Sequence, residues 1–255
     1  MKKSIFVCLA GLTLLLALKS NVSARGKIQV LKTYPFDATA FTQGLEYAGN
    51  QEVLLGTGRK GESRIEYFNV SSGKSRQRQD LSHHYFGEGV TQSKDFIYQL
   101  TWKSGVAFRR KKNSLEEIDR LTYDGEGWGL AYNPEQGHIY MSDGSNRIQV
   151  RDEDFHLLSD FYVTHKDQPM NRINELEYAN GYLYANIWQS NLIIKMDPKS
   201  GQVVDFYDFT QVLRDNFTPK ERDQMDVLNG IAHIEGNTFY ITGKLYPKIL
   251  KVRLD

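Results

Sequence analysis

The stretch INELEYANGYLYANIWQSNLIIKMDPKSGQVVDFYDF (173–209) decides the fold. INELEYA alternates apolar and polar side chains, the period of a half-buried strand. Asn180-Gly181 then supplies a hairpin turn that favours positive φ. GYLYANIW reads as a second strand and NLIIKMD as a third. Pro198 to Gly201 makes the next turn, and QVVDFYDF is the fourth strand. Tyr, Ile, Val and Phe dominate these runs, as pleated surfaces prefer.

This unit recurs. FTQGLEY (41–47), FGEGVTQ (86–92), GWGLAYN (127–133), INELEYA (173–179) and NGIAHIE (229–235) begin alike. Aligning Gly44, Gly89, Gly129, Glu175 and Gly230 gives spacings of 45, 40, 46 and 55 residues. A period of about 40–50 residues belongs to propeller blades with four strands each. Turn signals recur at matching places: Ala48-Gly49-Asn50, Ser71-Ser72-Gly73, Ser93-Lys94-Asp95, Lys112-Asn113-Ser114 and Asn133 to Gly137. The last copy has only three strands, near 230–235, 237–243 and 248–254. KIQVLKTYPF (27–36) can supply its missing outer strand, which removes an exposed sheet edge. The sequence therefore predicts an all-β, five-bladed propeller whose last blade is closed by the N-terminal strand. Thr218-Pro219-Lys220-Glu221 reads as an N-cap with Pro at the first helical position. Residues 210–226 are expected to form a loop with a short helix over one face, inserted before the last blade.

In a propeller the first strand of each blade lines the axis. The residues just before the aligned positions are Gln43, Glu88, Trp128, Asn174 and Asn229, and four of these five are polar. A water-filled channel explains polar residues there as readily as a site does. The chain's three tryptophans add a second signal. Trp102 and Trp188 end the second strands IYQLTW and LYANIW, whereas Trp128 starts a first strand. Strands one and two are antiparallel, so all three fall at one end of the ring. Lys244, in YITGK, takes the equivalent place in the fifth blade. Apolar walls with a few convergent polar groups describe a small-ligand site.

At these residues the chain resembles the plant-type glutaminyl cyclases, also found in bacteria, which are five-bladed propellers acting as glutaminyl-peptide cyclotransferases. The resemblance runs from about Val30 to the C-terminus. It is carried in order by FTQGL, GTGRKGES, YFGEGV, LTWKSG, GEGWGL, SDGSN, INELEY, NIW, LNGIA and TGKLYP. It implies catalytic roles for Glu88, Asn174 and Lys244. It implies substrate contacts from Phe41, Gln43, Phe86, Trp102, Trp128 and Trp188. The implied substrates are peptides and proteins with N-terminal glutamine, cyclised to pyroglutamate with loss of ammonia. Glu88 is expected to shuttle the proton, and Lys244 or Asn174 to donate to the oxyanion.

The chain opens MKKSIFVCLAGLTLLLALKSNVSA (1–24): two lysines, an apolar run from Ile5 to Leu18, then Val22 and Ala24. That is the layout of a secretory signal peptide. The apolar run is short for a membrane span, which needs roughly 20 residues. Residues 25–255 are expected to be a single catalytic domain, periplasmic or extracellular and monomeric. They carry no thiol, because Cys8 lies in the leader. Without Lys2, Lys3 and Lys19 the chain has 29 basic against 31 acidic residues, a balance that points neither to nucleic acid nor to an anionic membrane.

None of the six histidines has metal-ligand spacing. His83-His84 precedes FGEGV, but adjacent residues of a strand face opposite ways. Asp143 to Asn146 could offer oxygens to calcium, though a turn explains it more simply. No cofactor is expected to be required; a structural ion in the axial channel is compatible with the sequence. Arg109-Arg110-Lys111-Lys112 is expected to be a solvated hairpin end. Two rival readings are a non-catalytic propeller that binds peptides or envelope partners, and a hydrolase of lactones or sugars. The hydrolase needs a second carboxylate or a metal near Glu88, and neither is expected.

Overall fold

The computed structural model describes residues 26–255, so the leader assigned to 1–24 lies outside the described residues. Four antiparallel sheets of four strands follow one another along the chain. They are β2–β5 (Thr42–Gly49, Glu52–Thr57, Arg64–Asn69, Lys74–Asp80) and β6–β9 (Gly87–Gln92, Phe96–Thr101, Val106–Lys111, Glu117–Thr122). Next come β10–β13 (Leu130–Asn133, His138–Ser142, Arg147–Arg151, Leu157–Tyr162) and β16–β19 (Ile173–Ala179, Tyr182–Ile187, Leu192–Met196, Val203–Asp208). The fifth sheet has the order β1-β22-β21-β20, from β20 (Leu228–Glu235), β21 (Thr238–Gly243), β22 (Lys248–Leu254) and the N-terminal β1 (Ile28–Pro35). β1 runs antiparallel to β22, with Ile28 opposite Leu254 and Pro35 opposite Lys248. The five blades and their closure are those read from the sequence. Asn180 and Gly181 both take positive φ, 54° and 82°, at the expected hairpin turn.

The first strands of the sheets meet in a ring: β2 lies beside β6 and β20, β10 beside β6 and β16, and β16 beside β20. Burial fades outward, from the almost wholly buried β6 to the exposed β5 and β9. Apolar side chains form five clusters, one between each pair of neighbouring blades. Each blade alone would leave both its faces wet, so only the closed ring buries them.

Glycine sets the width of the axis. A Cβ on Gly44 would stand 2.9 Å from Gly89 Cα, one on Gly89 2.8 Å from Gly129 Cα, and one on Gly129 2.8 Å from Glu175 Cα. Backbone meets backbone at this level. In the fourth blade the aligned residue is Glu175, wholly buried, and its carboxylate reaches across the axis. Oε1 accepts from the Leu45 N–H at 3.1 Å and Oε2 from the Ile231 N–H at 2.9 Å, joining blades one, four and five. Further along the innermost strands lie two more carboxyls, the half-buried Glu46 and the buried Glu177. Burial pushes Glu46 up to about 7, and holds Glu175 and Glu177 well above the usual carboxylate range.

Three features depart from the sequence reading. Two short helices, α1 (Thr210–Asn216) and α2 (Pro219–Gln224), occupy the insertion where one was expected. Thr218 caps α2 through a reciprocal capping box with Glu221, as its sequence signals. α1 begins after Phe209, which makes no side-chain cap, and is held by burying Leu213. A small hairpin, β14 (Thr164–His165) with β15 (Gln168–Pro169), adds to the third inter-blade connection. The basic run 109–112 is a solvated hairpin end only in part, because Lys111 is exposed while strand alternation turns Arg110 inward. Its guanidinium donates to Gln99 Oε1 at 3.2 Å and to the Leu115 carbonyl at 3.0 Å.

Glu175→Ala strands two buried backbone donors, each worth roughly 1–3 kcal/mol. Urea denaturation of this variant is expected to show a loss in that range or above; an unchanged midpoint would remove Glu175 from its place in the ring.

Candidate active site

Four of the five first strands carry a β-bulge where they start. Register breaks fall between Thr42 and Gly44, Gly87 and Val90, Ile173 and Leu176, and Leu228 and Ile231. A bulge adds a residue to one strand and re-aims its side chain. Gln43, Glu88 and Asn174 sit in these bulges and turn into a cavity of about 390 Å³ at one mouth of the axis. Phe41, Phe86, Trp102, Trp128, Trp188 and Lys244 complete the set expected from the sequence, and all nine line this cavity. Asn229 does not. It lies beneath the cavity, where its Nδ2 donates to the Thr42 carbonyl at 3.0 Å and to Gln43 Oε1 at 3.3 Å. It braces the site and does not line it.

The second strands deliver Trp102, Trp188 and Lys244 just past the ends of β7, β17 and β21. In the first blade that place belongs to Gly58, where a Cβ would stand 2.9 Å from Gln43 Cγ and closer still to the Phe86 ring. The missing side chain makes room for both. Trp128 and Trp188 meet edge to face at 5.5 Å, and Phe86 leans on Trp102 at 5.5 Å. Arg59, in the glycine-rich turn, lays its guanidinium 4.4 Å from the Phe41 ring centroid, and Lys244 Nζ approaches the same ring at 5.0 Å.

Glu88 is 4% exposed and Lys244 5%. Gln43 Nε2 donates to Glu88 Oε1 at 3.1 Å. With Asn229 holding the other end of the Gln43 amide, a chain of side-chain bonds fixes the carboxyl. Burial pushes Glu88 well above the ordinary carboxylate range, Lys244 opposes this, and Glu126 adds to it. Burial likewise lowers Lys244, against the pull of Glu88 and Asp226. Asn174 Oδ1 is buried and has no partner among the described residues. The pocket thus holds a fixed proton acceptor, a cationic donor and a free carboxamide within aromatic walls.

Several residues here escaped the sequence reading. Gln189, Asp226 and Val227 line the cavity. Asp226 is brought in by the helical insertion, whose backbone pairs with Lys244 at 2.9 Å and 3.0 Å. Glu126 accepts from two of the indoles. A second carboxylate, Glu126, therefore does act on Glu88, and another, Asp226, lines the same cavity, contrary to expectation. The signal for Glu126 was in plain view: the tripeptide Gly-Glu-Gly that holds Glu88 at 87–89 recurs at 125–127. His83 and His84 lie outside any strand, exposed and with their rings tilted together at 3.8 Å, and neither lines the cavity. Asp143 Oδ1 accepts from Ser145 N at 3.0 Å and from its hydroxyl at 2.5 Å, which makes 143–146 the turn it resembled. Among the described residues no three His, Cys, Asp or Glu side chains converge in metal-ligating geometry. No described helix is long and apolar enough to cross a membrane.

Fold and cavity together define a five-bladed propeller with a small-ligand site at one mouth of its axis. Residues 5–254 match the family model described as glutamine cyclotransferase, and the chain belongs to that family. It is 31% identical over 231 residues to a glutaminyl-peptide cyclotransferase of Arabidopsis thaliana, covering 89% of this chain and 71% of that one. The crystal structure of the Myxococcus xanthus glutaminyl cyclase superposes with a TM-score of 0.80 at 34% identity, over 91% of this chain and 98% of the other.

Lys244→Met removes the charge that opposes the raised proton affinity of Glu88. Glu88 then ionises at higher pH, so the acidic limb of the kcat/KM profile is expected to move upward. A limb that stays put or moves down would separate the two groups electrostatically.

Proposed function

We propose that this cavity cyclises the N-terminal glutamine of peptides and proteins to pyroglutamate, with release of ammonia. The observation that carries the reading is Glu88, a buried carboxyl fixed by Gln43 and facing an aromatic cavity of about 390 Å³, in the size range of small-ligand sites. The α-amine of glutamine attacks its own carboxamide carbon, so holding the bent conformer removes much of the entropic barrier. Trp102, Trp128 and Trp188 supply walls for that conformer, and Phe41 and Phe86 close the side nearest Glu88.

An α-ammonium has a pKa of roughly 7.7–8, far from that of an ordinary carboxylate. A carboxyl raised by burial is better matched to it, and matched pKa values favour proton transfer. Glu88 takes a proton from the ammonium, and the freed nitrogen forms its bond to the carboxamide carbon. The carbonyl electrons move onto oxygen, where Lys244 and Asn174 are the donors at hand. Glu88 then passes a proton from the ring nitrogen to the departing amide nitrogen. The carbon–nitrogen bond breaks, leaving the lactam and ammonia. This sequence uses no cofactor. A structural cation on the axis would meet Glu46, Glu175 and Glu177, and no step runs through it. The leader at 1–24 supports export, and the domain is taken to act as a monomer.

Ammonia release from a Gln-peptide tests the assignment. Glu88→Gln keeps an oxygen for the Gln43 amide but cannot shuttle a proton, and turnover is expected to fall roughly 10²–10⁴-fold. A near-normal rate would sink the role of Glu88. Lys244→Ala is expected to slow turnover while stability stays within about 1 kcal/mol, as for residues that carry little packing.

A further inference from the structure

Glu126 lies in the loop between β9 and β10, outside the repeated slot of the blades. Its Oε2 accepts from Trp102 Nε1 at 2.7 Å and from Trp128 Nε1 at 3.0 Å. Its Oε1 stands 3.2 Å from Lys103 Nζ, and that ammonium lies 4.1 Å from the Trp102 ring centroid. The backbone is shaped for this placement. Gly125 takes φ 83°, and a Cβ on Gly127 would stand 2.5 Å from the Tyr123 hydroxyl. The Gly127 N–H bonds to the Trp102 carbonyl at 2.9 Å, which ties the loop to the end of β7.

The two indoles come from different blades, and each ring could turn about its own side-chain bonds. One oxygen within 3.0 Å of both N–H groups fixes the angle between them. Burial works against the charge on Glu126, yet bonds from Trp128, Trp102 and Lys103 together hold it below the ordinary carboxylate range. The bonds are therefore charge-assisted, the stronger kind.

We propose that Glu126 is a positioning residue, whose single shared oxygen locks two indole walls at the angle that folds the substrate glutamine back onto its own amine. The proposal rests on the reading of this cavity as the cyclisation site. Glu126 also acts on Glu88 through space. The groups facing Glu88 are Gln43 from β2, Lys244 after β21, and Tyr123 and Glu126 from the β9–β10 loop. Of these, Glu126 carries the negative charge that strengthens Glu88's hold on its proton.

Position and charge can be separated, because a glutamine oxygen can accept from both indoles without charge. The chain's three tryptophans make the first readout simple. In ¹H–¹⁵N spectra, Glu126→Ala is expected to move the indole resonances of Trp102 and Trp128 upfield and leave Trp188 the least changed. On Gln-peptides its kcat/KM is expected to fall roughly 10–100-fold, the size of effect that a misplaced substrate causes. Glu126→Gln is expected to keep both resonances near their wild-type places and to recover most of that loss. It should also shift the acidic limb of the pH profile downward, since a negative neighbour of Glu88 is gone. Unmoved indoles in Glu126→Ala, or a kcat/KM within about twofold of wild type, would overturn the proposal. So would a Glu126→Gln variant whose indole resonances leave their wild-type places or whose kcat/KM falls roughly tenfold or more below wild type, and this arm decides if the alanine variant does not fold. Wild-type turnover in Glu88→Gln would instead defeat the underlying site assignment, whatever the indole spectra show.

Discussion

Everything at the centre of this molecule depends on how closely the first strands approach one another. Three glycines let backbone touch backbone between blades one, two and three, and between three and four. Glu175 completes the circuit with a carboxylate that takes backbone donors from two other blades. A buried carboxylate without donors would be costly, and two backbone donors would be equally costly without it. Each satisfies the other, so the ring and the buried carboxyl stand together. The close approach also gives the cavity its floor. At the start of the same strands the pairing is bulged, and the bulges throw Gln43, Glu88 and Asn174 into one space.

The same burial that closes the axis sets the chemistry of the mouth. Glu88 is pushed toward its neutral form and Lys244 toward its own. Neither group is spent on neutralising water-exposed partners, so both face whatever the cavity receives. An arriving ammonium meets a carboxyl with raised proton affinity and, across the same space, a cationic donor. The aromatic walls keep water from competing, which strengthens both interactions.

The architecture was legible because its cues are local. Hairpin turns such as Asn180-Gly181 and the recurring glycine slot need only a few neighbouring residues to be recognised. The nine expected lining residues lie at strand ends whose register follows from those turns. What escaped depends on contacts between distant segments. Asn229 shares the slot yet sits beneath the cavity, because its side chain is drawn to the Thr42 carbonyl and the Gln43 amide. Asp226 enters only because the insertion pairs its backbone with Lys244. α1 carries no capping residue to announce it, and Arg110 is buried by an alternation that the string of charges disguised. Glu126 lies in a loop, where no periodicity points to the direction of a side chain.

The pairing of β1 with β22 has a temporal side. Ile28 faces Leu254, and Lys27 and Asp255 exchange backbone hydrogen bonds, so the first and last described strands must find each other. Such long-range pairing is slow, though the entropy of closing so long a loop grows only with the logarithm of its length. The lining residues run from Phe41 to Lys244 and come from all five blades. A partly folded chain therefore has the right residues and no working pocket. The pocket is complete only when all five blades are in place, and the ring that holds them closes through the pairing of β1 with β22.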